Sequence, residues 1–177
     1  MKEYLYQPMD LAQIICKHKM NSENQAEFLH GIYSQDKMFL PEQFREDERK
    51  FVQSVNKEVN ILCDPDTISI DKQVIEQDRK DFKLKPQRSD ESIDCSEIIR
   101  VFKEIRITAQ FLNQKKCMRM KMRALLNWFG HHKRTDSIKR RMNECMLFYH
   151  LTASLKGNKP CDLRFVLLDS IVTFRSL

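Results

Sequence analysis

The chain has 177 residues, of which 41% are hydrophobic and 32% charged, and its net charge is +6. This composition fits a folded chain with a hydrated surface and argues against a disordered one. Three glycines and five prolines are too few for a sandwich or barrel, so helices are favoured. No apolar run approaches the ~20 residues that span a bilayer, and the N-terminus lacks a signal-peptide pattern. We expect an intracellular protein, cytoplasmic or, in a eukaryote, nuclear.

Cysteine spacing and charge distribution add two constraints. The six cysteines are scattered, with no C-x-x-C pair, and in a reducing compartment we expect free thiols. Residues 1–94 carry 14 Lys or Arg against 19 Asp or Glu, a net charge of −5, whereas residues 95–177 carry 17 against 6, a net charge of +11. The reversal predicts two functional surfaces. The basic half is expected to attract a polyanion, because clustered cations neutralise phosphates.

Helices are predicted in the acidic half. The apolar spacing indicates helices over residues 8–19, 22–33 and 41–62. The second opens with Ser22 and Gln25, a capping-box pattern. The third opens with a proline, which is tolerated at the first helical position.

A helix over residues 69–82 and a linker over residues 83–94 are predicted to complete this half. The linker is polar and contains Pro86, and the charge reversal falls at its end. We therefore predict an acidic helical region, residues 1–85, and a basic domain, residues 95–177. The acidic region is expected to bind a protein partner or to dimerise.

Three helices and a hairpin are predicted in the basic half. Large apolar residues recur at helical spacing over residues 98–112, 119–129 and 138–149. Gly130 is expected to end the second helix in the left-handed conformation, and Thr135 to cap the third. Residues 163–175 are rich in β-branched and aromatic side chains, which predicts a short hairpin.

This order of elements is the one that helix-turn-helix units use. The stripe through Ile138, Met142 and Cys145 is predicted to face inward, which leaves Lys139, Arg140 and Asn143 outward. Arg and Asn are the side chains that read guanine and adenine edges. Over about residues 96–175 the sequence resembles winged-helix DNA-binding domains. The implied fold is therefore mainly α, with a helical N-terminal half and a three-helix winged-helix-like unit that carries a small β-hairpin.

The same region also resembles a short C-terminal module of prokaryotic regulatory or defence-associated proteins. That module has an apolar-apolar-x-aromatic-Phe-Gly motif, a basic turn, a helix and a closing β-pair. The residues that fit this outline are Leu125, Leu126, Trp128, Phe129, Gly130, Arg134, Asp162 and Asp169. Trp128 is expected to fill the core, as most tryptophans do, and its alternative role is to stack on a base or anchor a partner.

Eleven Lys or Arg lie between residues 105 and 143 against one acid, Asp136. A solvated face usually mixes signs, so we predict nucleic-acid contact here, although a plain basic surface is the ordinary alternative. The predicted contact residues are Lys115, Lys116, Arg119, Lys121, Arg123, Lys133, Arg134, Thr135, Lys139, Arg140 and Asn143.

No catalytic, metal or cofactor site is predicted. The text of a PD…D-x-K nuclease motif spans residues 65–83, but its acids need flanking strands and the segment has a helical pattern. His131 and His132, even with Cys117, Cys145, His150 and Cys161, lack zinc-site spacing. We expect no cofactor, no metal and no enzyme activity.

The sequence is compatible with two functions. The first is DNA binding, more than RNA binding, with the acidic half recruiting a protein partner or forming a homo-oligomer. The alternative is a small interaction subunit of a larger assembly, whose basic face docks on an acidic protein or RNA. Membrane binding is disfavoured, because no predicted helix combines a basic face with a wide, exposed aromatic face.

Overall fold

The structure, a computed structural model, describes residues 2–63, 95–131 and 133–177. Over these residues the structure is mainly helical and includes a small antiparallel sheet. The described residues divide into two compact units, one of residues 5–63 and the other of residues 95–177 together with residues 2–4. The predicted helix, linker and nuclease-like motif between residues 64 and 94 lie outside the described residues. Within the described ranges, no helix is long and apolar enough to cross a membrane.

The N-terminal unit is helical. Its helices are α1 (Pro8–Lys17), α2 (Ser22–Gln35), α3 (Glu42–Arg45) and α4 (Glu48–Leu62). Helix α1 packs against α4, and their buried side chains include Leu11, Ile15, Phe51 and Val55. Burial of such apolar side chains, each worth about 1.5–3 kcal/mol, stabilises short helices that are marginal alone.

Two predictions for this unit are wrong in detail. The residue that caps α2 is Asn21, not Ser22: its side chain accepts the Asn24 N–H at 2.8 Å. The single helix predicted over residues 41–62 is two helices. Its second part starts afresh at Asp47, whose carboxylate accepts the Lys50 N–H at 2.9 Å. Local capping therefore overrides the continuous apolar stripe.

The C-terminal unit combines helices with the sheet. Its elements are α5 (Cys95–Ile107), a π-helical turn (Thr108–Leu112), β1 (Met118–Lys121), α6 (Met122–Trp128), α7 (Asp136–Phe148), β2 (Leu151–Ser154) and β3 (Ile171–Ser176). All strand pairs are antiparallel, in the order β1-β3-β2. Gly130 has a φ of 73°, as predicted for the residue that ends α6.

The helix predicted over residues 119–129 is wrong at its start. Residues 118–121 alternate apolar and basic side chains and form β1, which pairs Met118 with Phe174 and Met120 with Val172. Helix α6 begins only at Met122. The alternation that indicates a strand covers only four residues. The longer helical stripe that follows it dominates the sequence pattern, so the pattern predicts a helix over both segments.

The hairpin predicted over residues 163–175 is also misplaced. Its strands are β2 and β3, joined by residues 155–170. The carbonyl groups of Leu163 and Leu168 accept hydrogen bonds from Arg134 and from the Arg123 N–H, at 2.6 and 2.7 Å. Because Arg134 and the first turn of α6 satisfy these carbonyls, this segment is held as a loop rather than as a strand.

One face of the sheet packs on the helices. Phe174 is fully buried and its ring lies edge-on to Phe102 of α5, with 6.2 Å between ring centres. The other face of the sheet therefore points away from the α5 core.

The predicted inward residues of α7 are confirmed: Ile138, Met142 and Cys145 are at most 1% exposed.

The first residues of the chain belong to this C-terminal unit. Lys2–Tyr4 forms a 3-10 turn, and Tyr4 is buried. Its ring lies 4.8 Å from that of Phe148, and its carbonyl accepts the buried Tyr149 hydroxyl at 2.6 Å. The sequence pattern carries no signal that predicts this packing of the first residues against α7.

Candidate nucleic-acid interface

The outward side of α7 holds the polar residues that could read a groove. Arg140 and Asn143 are exposed and Lys139 is partly exposed. Two acids share this helix and pair with its cations: Lys139 Nζ lies 3.0 Å from Asp136, and Arg140 Nε lies 3.9 Å from Glu144. The helix is therefore polar and only weakly positive, because two acids offset its three cations.

Thr135 has a structural task at the start of α7. Its hydroxyl oxygen accepts the Ile138 N–H at 3.4 Å, as predicted for an N-cap. We expect Thr135→Ala to lower the free energy of unfolding by about 1 kcal/mol, because the helix loses an acceptor for one of its free N–H groups. Thr135→Ser, which keeps the hydroxyl, should cost far less. Urea titration followed by the fluorescence of Trp128 measures both, and equal losses would contradict the cap.

Cations also collect on the outer sheet face. This outer sheet face is defined by the side chains that alternate with Phe174 and its neighbours. Its exposed or partly exposed members are Arg119, Lys121, Thr152, Ile171 and Arg175, and Ser154 and Thr173 lie buried between them. In the described part of the chain, none of the strand residues is acidic. All three strand cations share this one face, so their charges add.

Arg175 is a member of this face that sequence reasoning missed. Its guanidinium donates to Ser154 Oγ at 3.0 Å and to Asn158 Oδ1 at 2.9 Å. Both acceptors are neutral, so they fix the side chain without cancelling its charge. The alternation in residues 171–176 could have placed Arg175 on the same side as Ile171, but the strand was assigned to a different hairpin.

The remaining predicted residues fall in turns and at the start of α6. Lys115, Lys116 and Lys133 are exposed. Arg134 is instead engaged by the Leu163 carbonyl, so it serves the fold. Arg123 forms a two-pronged ion pair with Asp169 at 3.1 and 3.2 Å.

Arg123 and Asp169 hold the end of the β2–β3 connection. The hydrogen bonds and positive charge of Arg123 lower the pKa of the Asp169 carboxyl. The backbone joins in, since the Arg123 N–H donates to Leu168 and the Met122 N–H donates to Ser170. Both side chains of the ion pair are largely exposed, so an anion in solution has access to the guanidinium.

The β2–β3 connection itself carries three cations and two acids and is partly apolar. Lys156 and Lys159 are exposed, and Phe165 and Leu167 are each 76% exposed. Arg164 lies with its guanidinium 5.5 Å from the centre of the Phe165 ring. It also pairs with Asp162 and lowers the pKa of that carboxyl through hydrogen bonds and charge. Sequence reasoning assigned this segment to a strand and so missed its exposed side chains.

Trp128 is not a core residue, contrary to expectation: it is 41% exposed, at the end of α6. The apolar members of the same motif, Leu125, Leu126 and Phe129, are buried. The neighbouring His131 donates its backbone N–H to Leu126, which helps to end the helix. Among the described residues, no three His, Cys, Asp or Glu side chains gather as a possible metal site.

The predicted contact residues thus form two surfaces and a set of turns. The helix face carries Lys139, Arg140 and Asn143, and the outer sheet face carries Arg119 and Lys121. Of the others, Thr135, Arg134 and Arg123 hold the structure together.

The chain matches no protein-family model, no curated protein and no solved structure.

Proposed function

We propose that this chain is a non-enzymatic nucleic-acid-binding protein whose C-terminal unit contacts duplex DNA as a winged-helix-like domain. The element order supports this proposal. A helix, a strand, two helices and a β-hairpin follow one another, and the first strand pairs with the last. In this arrangement α7 is the recognition helix and the β2–β3 connection is the wing.

The observation that carries the proposal is the one-signed outer sheet face. Arg119, Lys121 and Arg175 share it with no acidic strand residue in the described chain. Phosphate contacts supply most of the sequence-independent affinity for nucleic acid. The strand residues of this face carry three cations and no acid, which matches that requirement better than a mixed-sign protein interface does. Asp169 of the adjoining connection, whose carboxyl pKa Lys121 helps to lower, offsets part of this positive charge.

The helix face and the connection have different tasks in this proposal. Arg140 and Asn143 suit base edges, because Arg pairs with guanine and Asn with adenine. Lys156 and Lys159 in the connection suit phosphates. The exposed Phe165 ring in the same connection provides an apolar contact with the groove.

The acidic N-terminal half is proposed to bind a protein partner or to self-associate. Its net charge of −5 over residues 1–94 repels a polyanion, so it adds little to DNA affinity. Its association and the DNA binding of the other half are separate activities of one chain.

The test is the salt dependence of duplex binding by the purified full chain. If about five phosphates are neutralised, the logarithm of the association constant should fall against that of salt with a slope near −4 to −5. Fluorescence anisotropy with a labelled duplex, titrated at four salt concentrations, gives this slope. A single-stranded RNA with as many nucleotides as one strand of the duplex and an acidic peptide serve as competitors.

Three outcomes decide the matter. Salt-dependent binding that the duplex competes best supports DNA as the target. Tighter binding of the RNA or of the peptide replaces DNA by that target and favours an interaction subunit. Binding to none of them at low salt rejects the proposal.

A further inference from the structure

Two cysteines of the N-terminal unit meet across the fold. The Sγ atoms of Cys16 and Cys63 lie 3.3 Å apart. Cys16 is in the last turn of α1, and Cys63 directly follows α4, where its N–H still donates to Val59 at 2.9 Å. The two residues are 47 positions apart in the chain, so the packing of α1 on α4 creates the pair. The scattered spacing of cysteines in the sequence gives no sign of it.

We propose that Cys16 and Cys63 form a redox-active pair that closes to a disulfide when the protein meets a low-molecular-weight disulfide such as oxidised glutathione. A disulfide bond is about 2.0 Å long, so the two sulfurs need to approach each other by about 1.3 Å from their separation of 3.3 Å. Both side chains sit at helix ends, and rotation about the Cα–Cβ bond of either one moves its sulfur relative to the other.

The exposure of the two thiols sets the order of events. Cys63 is exposed and Cys16 is only partly exposed, so the Cys63 thiolate is the one that attacks the glutathione disulfide. One glutathione leaves as a thiolate, and Cys63 is left in a mixed disulfide. The Cys16 thiol then loses its proton and attacks the Cys63 sulfur, which releases the second glutathione. Two cysteines are oxidised, one disulfide is reduced, and the two protons end on the two glutathione thiols.

The environment of Cys16 makes the second step depend on pH. Burial, together with the hydrogen bond and charge of Cys63, raises the pKa of the Cys16 thiol to about 11. In the mixed disulfide Cys63 no longer carries the negative charge that opposes ionisation of Cys16, so Cys16 ionises more readily than in the reduced pair. We expect the closing rate to increase between pH 7 and pH 9, because the reactive thiolate fraction increases.

The experiment uses the full chain, oxidised with glutathione disulfide, quenched with N-ethylmaleimide and digested with trypsin. Cleavage releases Cys16 in residues 3–17 and Cys63 in residues 58–72, and mass spectrometry should find these two peptides joined. Cys16→Ser should instead trap glutathione on Cys63, because the resolving thiol is gone. Cys161→Ser, which removes a partly exposed cysteine of the other unit, should leave the joined peptides unchanged.

A thermal melt gives an independent readout. Closing a loop of this length restricts the unfolded chain, so the oxidised protein should melt on the order of 10 °C higher in the N-terminal unit. Circular dichroism measures this, and Cys16→Ser should show no such gain. The proposal is overturned if both cysteines stay maleimide-labelled while the other accessible thiols are oxidised, or if Cys63 is joined to a different cysteine. Neither result bears on nucleic-acid binding, because both cysteines lie in the N-terminal unit.

Discussion

Replacing Tyr4 by alanine should destabilise the C-terminal unit by about 3 kcal/mol. Its ring is 8% exposed and packs 4.8 Å from that of Phe148, and truncating a buried aromatic ring typically costs this much. For a unit of this size the loss corresponds to a melting temperature roughly 12–24 °C lower. Trp128 is the one tryptophan in the chain and lies in α6, so its fluorescence follows the unfolding of this unit.

Two further variants make this result specific. Tyr4→Phe keeps the ring and should cost about 1 kcal/mol or less, because the hydroxyl contacts Arg141 and Glu144 near the surface. Tyr6→Ala removes a fully buried ring, two residues away, from the other unit. Its effect on the Trp128 transition should be smaller than that of Tyr4→Ala. A Tyr4→Ala variant with an unchanged Trp128 transition would show that residues 2–4 do not support this unit.

A fragment of residues 95–177 should suffer more than Tyr4→Ala. It loses the ring and also the Tyr4 carbonyl that accepts the buried Tyr149 hydroxyl. A buried hydroxyl without its acceptor costs about 1–3 kcal/mol. DNA binding by the basic half should therefore be measured on the full chain. Weak binding by the fragment would not distinguish unfolding from the loss of DNA contacts.

Helices with a long apolar stripe were the elements that the sequence predicted best. Helix α7 is the clearest case: its N-cap at Thr135 and its inward residues Ile138, Met142 and Cys145 all follow from spacing and cap chemistry. The outward position of Arg140 and Asn143 follows from the same pattern. The exposed members of the predicted interface were thus accessible from sequence because a helical stripe fixes both sides of a helix at once.

Short strands and long-range contacts were not accessible in this way. Strand β1 has four residues, too few for its alternation to outweigh the adjoining helical stripe, and its partner lies about fifty residues away in β3. The docking of Tyr4 on Phe148 and the approach of Cys16 to Cys63 likewise depend on tertiary packing. Local patterns carry no information on such pairings, because each is stabilised only after the units have folded.

The outer sheet face and the helix face should differ in how they affect DNA binding. The double variant Arg119→Gln with Lys121→Gln removes two exposed cations from the sheet. Each lost phosphate contact reduces the steepness of the dependence of log association constant on log salt by about 0.9. A slope near −4.5 should therefore become shallower, at roughly −2.7. Affinity should fall to a similar extent on every duplex, since phosphate contacts carry no sequence information.

Arg140→Ala with Asn143→Ala should act in the opposite manner. These residues lie on the helix face, where a good bidentate pair with a base is worth about 1–3 kcal/mol of discrimination. The variant should lose preference between duplexes of different sequence, while its salt slope changes by about 1 at most. Neither double variant should lower stability much, because exposed substitutions usually shift it by less than about 0.5 kcal/mol.

The matched control is Arg49→Gln with Lys50→Gln, which removes two exposed cations from α4 in the N-terminal unit. It lowers the net charge by the same amount as the sheet variant, so it isolates local contact from overall charge. We expect its slope and affinity to stay close to those of the unaltered chain. If it weakens binding as much as the sheet variant, the attraction is a property of net charge and the outer sheet face is not an interface. If only the helix variant has an effect, phosphate contact belongs to α7 and its flanking turns, because the sheet cations then stay in solvent throughout binding.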